Sequence, residues 1–338
     1  MTAPARDGSS GLDARDYEGL FVRWERLYER AHRGKVHIRG REVPVVDSRQ
    51  GTSQFYVMPQ FEELALSQWV IFVRDHTGVP SGRHTHQGGI AIFGVEGDGF
   101  SVVNDRRFDW SAEDSVLLPI VPGGLDHQHF RARDDRPSKF MGIIYEPLVV
   151  ALGAEMVQLE PQTRQGKWAP PPDGGAAGAD AGMVAPTAPT LAGLLEMRER
   201  QRRVLHPPAL IRRADLPADE TGFGELRWYI HPAARGFAGT APMLLFTQRL
   251  APGQETDLLA TPGNGIMFVL QGDPTIEIDG EAYACEARDM VLVPPRRDGV
   301  TVGVRAGREE SRIVVALANL AGLAGLAMGA ELALRGRR

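Results

Sequence analysis

Short runs rich in Val, Ile and Phe, broken by Gly, Pro and Asp, predict an all-β protein made of two related domains. After Gly34 come V-H-I, Q-F-Y-V-M and S-Q-W-V-I-F-V, and a second block of the same character runs from about Phe223 to Leu317. The blocks align without a gap at an offset of 175 positions. H-T-H-Q-G-G-I-A-I-F-G-V-E-G-D-G, from His84, falls over L-A-T-P-G-N-G-I-M-F-V-L-Q-G-D-P, from Leu259. Gly88, Phe93, Gly97, Asp98, Asp114, Val116, Leu117 and Pro119 coincide with Gly263, Phe268, Gly272, Asp273, Asp289, Val291, Leu292 and Pro294. Turn residues and strand cores kept in register over such a span read as two copies of one β-domain, a sandwich or barrel.

The bulk numbers agree with two cores. A chain of 338 residues is long for one core, and 43% hydrophobic with 24% charged is ordinary globular composition. A net charge of -5 supplies no basic face for nucleic acid, so no such partner is expected. The single cysteine, Cys285, rules out an internal disulfide and suits a reducing compartment. With a polar N-terminal stretch lacking a signal-like apolar core, the expectation is cytoplasmic. Residues 313–330 approach the length of a short membrane span but contain Asn319 and three glycines. They read as a terminal strand running into a packing helix, and no membrane partner is expected.

Along the chain, residues 1–35 form an arm with one helix. Tyr17, Leu20, Phe21, Trp24, Leu27 and Tyr28 recur at helical spacing, an apolar face for covering the core or contacting a second subunit. A homo-oligomer is expected. Residues 36–160 are the first β-domain. Residues 161–190, dominated by Pro, Gly and Ala, read as a linker. A short charged helix over 191–205 leads the second β-domain, 191–317, and residues 318–338 are expected to be a C-terminal helix.

Four of the nine histidines fall in the first repeat, as two pairs: His84 and His86, His127 and His129. On a strand, residues two apart share a face, so each pair projects side by side. In a small barrel distant strands face one another, and His84, His86 and one of the second pair can converge on one cation. Three clustered imidazoles without a metal or hydrogen-bond partners are costly to bury. His32, His37, His76, His206 and His231 read as ordinary structural residues. Histidine-only ligation permits Zn, Fe, Mn, Cu or Ni.

With these residues in place, the segment resembles the cupin superfamily. Its first motif sets a glycine, two histidines one residue apart, a glutamate shortly after and a further glycine. Gly78, His84, His86 and Gly97 match it; Pro122, Gly124 and His127 match the second motif. The resemblance covers roughly residues 40–150 and 223–317. It implies two small jelly-roll barrels with flanking N- and C-terminal helices, a bicupin.

Two departures from the family pattern carry information. Ile90 or Ala91 stands where the motif glutamate belongs, and Glu96 lies too far along to replace it. The resemblance then implies a site of three histidines, His84, His86 and His127, with His129 the competing third ligand. In the second repeat Leu259 and Thr261 replace the first pair, and Arg296 and Arg297 make a cation site at Glu255 and Asp257 unfavourable. Within the superfamily, this pattern resembles the gentisate and salicylate ring-cleaving dioxygenases. That resemblance implies Fe(II), with Mn, Zn or Ni as alternatives, a small hydroxylated aromatic acid as substrate, and dioxygen. His129, Gln87 and Arg83 are the candidate catalytic residues, and Asp126 a group that could orient an imidazole. A metal-dependent isomerase, lyase or ligand-binding cupin is the alternative.

Overall fold

In a computed structural model of the chain, the described residues are 17–76, 80–120, 124–151, 153, 156–160, 191, 209–231, 243–318 and 333–335. The expected linker, most of the charged helix after it, and residues 319–332 lie outside them, as does Pro122.

The first half runs α1 (Tyr17–Arg33), β1 (His37–Ile38), β2 (Val45–Ser48), β3 (Gly51–Val57), β4 (Trp69–Asp75), β5 (Arg83–His86), β6 (Ile90–Val103), β7 (Arg106–Ser111), β8 (Ser115–Leu118), β9 (Leu125–Arg131), β10 (Ser138–Tyr145), α2 (Glu146–Ala151) and β11 (Met156–Glu160). The second runs β12 (Ala209–Ile211), β13 (Asp219–Thr221), β14 (Gly224–Ile230), β15 (Met243–Leu250), β16 (Leu258–Thr261), β17 (Gly265–Gln271), β18 (Thr275–Ile278), β19 (Glu281–Ala284), β20 (Met290–Val293), β21 (Val300–Arg305), β22 (Ser311–Ala318) and β23 (Ala333–Arg335).

Each half closes two antiparallel sheets over an interior. The first carries β2-β3-β4-β10-β6-β8-β12 and β7-β6-β9-β5-β11, with the long β6 belonging to both. The second repeats this order as β13-β14-β15-β22-β17-β20-β1 and β19-β18-β21-β16-β23. The expected 175-residue repeat holds at atomic detail. A Cβ on Gly88 would stand 1.8 Å from Pro119 O, and one on Gly263 1.9 Å from Pro294 O. Both glycines have positive φ, so no other residue fits this crossing of strands. An apolar layer containing Trp69, Ile71, Phe93, Leu245, Phe268 and Val314 packs one barrel's sheet on the other's.

The barrels exchange arms, which shifts the expected domain boundaries. β1 precedes the first barrel but pairs with β20 of the second; β12 precedes the second but pairs with β8 of the first. Each arm is held by the equivalent aspartate. Gly40 N–H donates to Asp289 Oδ1 and Arg213 N–H to Asp114 Oδ1, both at 2.9 Å. His37 Nε2 adds a 2.9 Å contact to Asp289 beside the buried Cys285. That His–Cys–Asp group is a clasp, because Asp114 does the same work in the first half through the backbone N–H groups of Ser111 and Arg213 with the Arg212 guanidinium 3.8 Å away.

The two flanking elements differ from expectation. α1 forms, continues to Arg33 and ends at Gly34, whose N–H donates to Arg30 O at 2.8 Å. Its aromatic face does not cover the core: Tyr17, Phe21, Trp24 and Tyr28 are all exposed. At the other end, Ala333–Arg335 is a strand, not part of a helix, and pairs with β16 as β11 pairs with β5. The sheet edge at β16 takes the backbone partner that a helix could not supply. Among the described residues no helix is long and apolar enough to cross a membrane.

Candidate metal centre

β5 and β9 are adjacent strands, and His84 lies directly opposite His127. β5 alternates half-buried Arg83 and Thr85 with buried His84 and His86, so both histidines face the interior. β9 likewise buries Leu125, His127 and His129. Ring centroids lie 4.2 Å apart for His84 and His127, 4.7 Å for His86 and His127, and 5.6 Å for His84 and His86. One nitrogen from each of the three comes within 4.8 Å of the others, close enough to hold a metal ion. That spacing is compatible with three ligands at the usual metal–imidazole distance of roughly 2.0–2.2 Å.

The surroundings bias the donor atoms. His84 Nδ1–H donates to Gly82 O and His127 Nδ1–H to Leu125 O, each at 3.0 Å, leaving Nε2 as the free lone pair. His86 differs, since its Nδ1 accepts Gly88 N–H at 2.9 Å. Ligation through its Nε2 therefore includes a change of tautomer and loss of that contact. Gly124, at φ +86, lets the chain pass close to His86 O. Burial pushes His84 below its ordinary pKa, His86 to about 4, and His127 and His129 well below the usual range. Neighbouring imidazoles push His86, His127 and His129 further in the same direction, which favours the neutral form that binds metal.

His129 stands outside the triad, its ring 5.3 Å from His127. Its Nδ1 contacts Ser101 Oγ at 2.8 Å, and Ser101 Oγ accepts Trp110 Nε1–H at 3.2 Å. Its backbone N–H donates to Ser81 Oγ at 2.8 Å. The ring is thus held at Nδ1 by Ser101 and lies 4.7 Å from Phe140.

No carboxylate joins the triad among the described residues. Ile90 and Ala91 are buried apolar residues, and Glu96 is bound by Lys139 and Arg288. Arg83, expected as a catalytic candidate, lies on the opposite face of β5 from the histidines. Its guanidinium forks onto Asp126 of β9, so neither residue is hydrogen-bonded to the cluster, and Asp126 acts on His84 only through its charge. Alternation decides both placements. Gln87 is half-buried just before the Gly88–Gly89 turn.

Two further groups were missed from sequence. Trp69, Ile71 and Val73 face the layer between barrels, whereas Phe72 packs with the barrel's interior core. By alternation Arg74 and, just past the strand, His76 follow Phe72 inward. Arg74 is 5% exposed, and no carboxylate oxygen lies within 4.0 Å of it among the described residues. It donates to Ser53 Oγ at 3.2 Å and to Gln50 O, its guanidinium 5.0 Å from the Phe72 ring. Burial pushes it down to about 9. Its charge in turn helps keep His84 and His129 neutral. The His76 ring is buried, stacked on Phe140 at 5.2 Å and 6.5 Å from His129. Continuing the period-two pattern of V-I-F-V past Val73 would have exposed both.

No known family profile matches the sequence, and no curated protein sequence matches it. Solved structures do match in fold. A single-site variant of salicylate 1,2-dioxygenase from Pseudoaminobacter salicylatoxidans, in complex with gentisate, superposes with a TM-score of 0.60 at 15% identity, covering 99% of each chain. Another structure of that dioxygenase gives 0.56 at 17% identity, over 88% of this chain and 82% of that one. A variant of oxalate decarboxylase from Bacillus subtilis gives 0.57 at 12%, over 85% and 78%. The fold is the bicupin fold, two cupin barrels in one chain.

Proposed function

We propose that the first barrel is the active site of a non-haem Fe(II) dioxygenase that cleaves the ring of a small hydroxylated aromatic acid. One observation carries the reading: three neutral histidines converge without a carboxylate, in an interior that also holds an unpaired guanidinium. Three neutral ligands leave a divalent ion its full charge and open positions, where a chelating substrate and dioxygen would be drawn together. The donor set fits such an ion, since His84 and His127 already have Nδ1 engaged and Nε2 free.

The chain's own residues supply the rest. Arg74 would bind the substrate carboxylate, because a buried cation without a counter-ion gains most from an anion. Gln248 occupies the equivalent place in the second barrel, donating to Phe223 O at 2.6 Å as Arg74 donates to Gln50 O. A neutral amide suffices for that structural bond, so the charge in the first barrel serves something else. His129, held by Ser101, would hold or move a proton at the substrate oxygen through Nε2. Phe108, Trp110, Phe140 and Leu118 wall the interior and exclude water. Gln87, half-buried at the turn after His86, is kept as a proposed ligand contact, and Arg83, paired with Asp126, is not proposed as catalytic.

The fold likeness to oxalate decarboxylase favours a second reading, a metal-dependent lyase acting on a small dicarboxylate. The deciding experiment is metal analysis of the purified chain, then oxygen uptake after anaerobic Fe(II) loading, with hydroxybenzoates and dihydroxybenzoates in one arm and oxalate in the other. About one ion per chain and dioxygen consumed with an aromatic acid is the expected result. His127→Ala should lose the metal, while His129→Ala keeps it and loses turnover. Carbon dioxide released from oxalate, with no aromatic consumed, would establish the second reading.

A further inference from the structure

His127 and His129 sit two residues apart on the same face of β9, and both rings are buried. Their Nδ1 atoms meet different partners. His127 Nδ1 faces Leu125 O, which can only accept, so its ring hydrogen belongs on Nδ1 and Nε2 keeps a lone pair. His129 Nδ1 faces a hydroxyl, Ser101 Oγ, at 2.8 Å, and a hydroxyl can either donate or accept.

A third residue removes that freedom. Trp110 Nε1–H, which can only donate, reaches the same Ser101 Oγ at 3.2 Å. Ser101 is fully buried, and its Oγ has no other hydrogen-bond partner among the described residues. Were His129 to carry its hydrogen on Nδ1, two donors would meet at one oxygen and the serine hydrogen would be buried without an acceptor. With Nδ1 bare, the indole donates to the serine, the serine donates to Nδ1, and all three groups are satisfied. In the neutral form that burial favours, the one ring hydrogen of His129 then stands on Nε2.

The indole has a place made for this contact. Trp110 lies opposite Gly99 in the β6–β7 pair, and a Cβ there would stand 2.2 Å from its ring. At the equivalent positions the second barrel has Pro274 for Gly99, Cys285 for Trp110, Ile276 for Ser101 and Val304 for His129. The fold needs none of the four. They stand together in the barrel with the histidine triad and are all missing from the other.

We propose that Trp110 and Ser101 are positioning residues that fix His129 as a hydrogen-bond donor, with its hydrogen on Nε2. His129 would donate to an anionic oxygen of the substrate, where a lone pair at Nε2 would repel it. A hydrogen set in place beforehand needs no rearrangement when that charge arrives. His86 also has a donor at Nδ1, Gly88 N–H, but it belongs to the triad, where a cation replaces the ring hydrogen. The donor role rests on the reading of the first barrel as the catalytic one; the tautomer does not, because it is set in the metal-free chain.

Heteronuclear NMR of the metal-free full chain with isotope-labelled histidine reads the tautomer directly, since bare and protonated ring nitrogens resonate far apart. His129→Val identifies the His129 signals by their loss. His129 should carry its hydrogen on Nε2. Trp110→Phe keeps an aromatic ring in the same space and removes the indole N–H. The serine can then accept as readily as donate, so His129 should become a mixture of tautomers while circular dichroism stays unchanged. Ser101→Ala, which removes the hydroxyl itself, should also release the preference. In the iron-loaded enzyme, Trp110→Phe should lower kcat for a hydroxybenzoate in proportion to the fraction of the wrong tautomer, with KM nearly unchanged. A wild-type His129 protonated at Nδ1, or a tautomer unmoved by both substitutions, would overturn the proposal. A tautomer that is fixed in the wild type and released in Trp110→Phe, in a chain that consumes no aromatic acid, upholds the positioning role and overturns the catalytic reading alone.

Discussion

The two barrels share strand order and register and differ in what fills them. Among the described residues nine buried apolar side chains form the interior core of the first and twenty that of the second, so the first gives up apolar volume to polar groups. The substitutions can be followed by register. His84 opposite His127 becomes Leu259 opposite Val302, and Ser101 opposite His129 becomes Ile276 opposite Val304. His86 becomes Thr261 and Arg74 becomes Gln248. The second barrel shows what the fold needs, and the difference between the two marks what the first retains for chemistry.

The sharpest way to break this comparison is to remove the metal ligands and their apolar counterparts in parallel. His84→Ala with His86→Ala should take the metal content from about one ion per chain to background, measured by elemental analysis. Leu259→Ala should leave it unchanged and instead lower thermal stability, by roughly 2–4 kcal/mol for a buried leucine. Metal retained in the double histidine variant would place the site elsewhere and erase the distinction between barrels.

A tenfold or larger effect, without loss of the site, is expected from Arg74→Gln. This installs in the first barrel the side chain that the second already tolerates, so fold and metal content should persist. Affinity for a carboxylate-bearing ligand should fall by one to two orders of magnitude, the worth of roughly 1.5–3 kcal/mol for a charge-assisted hydrogen bond. Titrating the metal-free chain with benzoate and with phenol separates the cause. Benzoate binding should weaken in the variant and phenol binding should not; an equal loss of both would make Arg74 a packing residue.

The comparison also explains which parts were legible in the sequence. His84, His86 and His127 stood out because an H-x-H beside a forced glycine turn has few structural uses, and because Leu259 and Thr261 show the turn surviving without them. Arg74 and His76 stayed hidden because V-I-F-V is apolar at every position, so the residue types do not mark which face turns inward and only counting by twos from Phe72 places the pair. The arm exchange left only one trace, the coincidence of Asp114 with Asp289, since two-residue and three-residue strands carry no periodicity. For α1 the spacing established an amphipathic helix but not what its face meets; a core and a second chain ask for the same pattern.

The smallest effect separates the barrels by pH. His84, His86, His127 and His129 are all held below the ordinary histidine value when folded, chiefly by burial, and the second barrel has apolar groups or a threonine in their places. An unfolded histidine titrates near 6.5, so below that pH the opened state takes up protons that the folded state refuses. Stability is therefore complete above about pH 6.5 and is lost as pH falls toward the folded values, about 4 for His86. His86, held at about 4, by itself removes roughly 1 kcal/mol between pH 7 and 5.5 by linkage, and the other three act in the same direction. Hydrogen exchange on the metal-free chain, corrected for intrinsic rates, should show β5 and β9 losing protection over that interval while β16 and β21 hold theirs. Bound metal should flatten the difference, because ligation draws on neutral imidazole alone. His129→Val, which copies Val304, should reduce the loss. Parallel loss in both barrels would mean that they open as one unit through their shared layer, and that the histidines destabilise the whole chain instead of their own barrel.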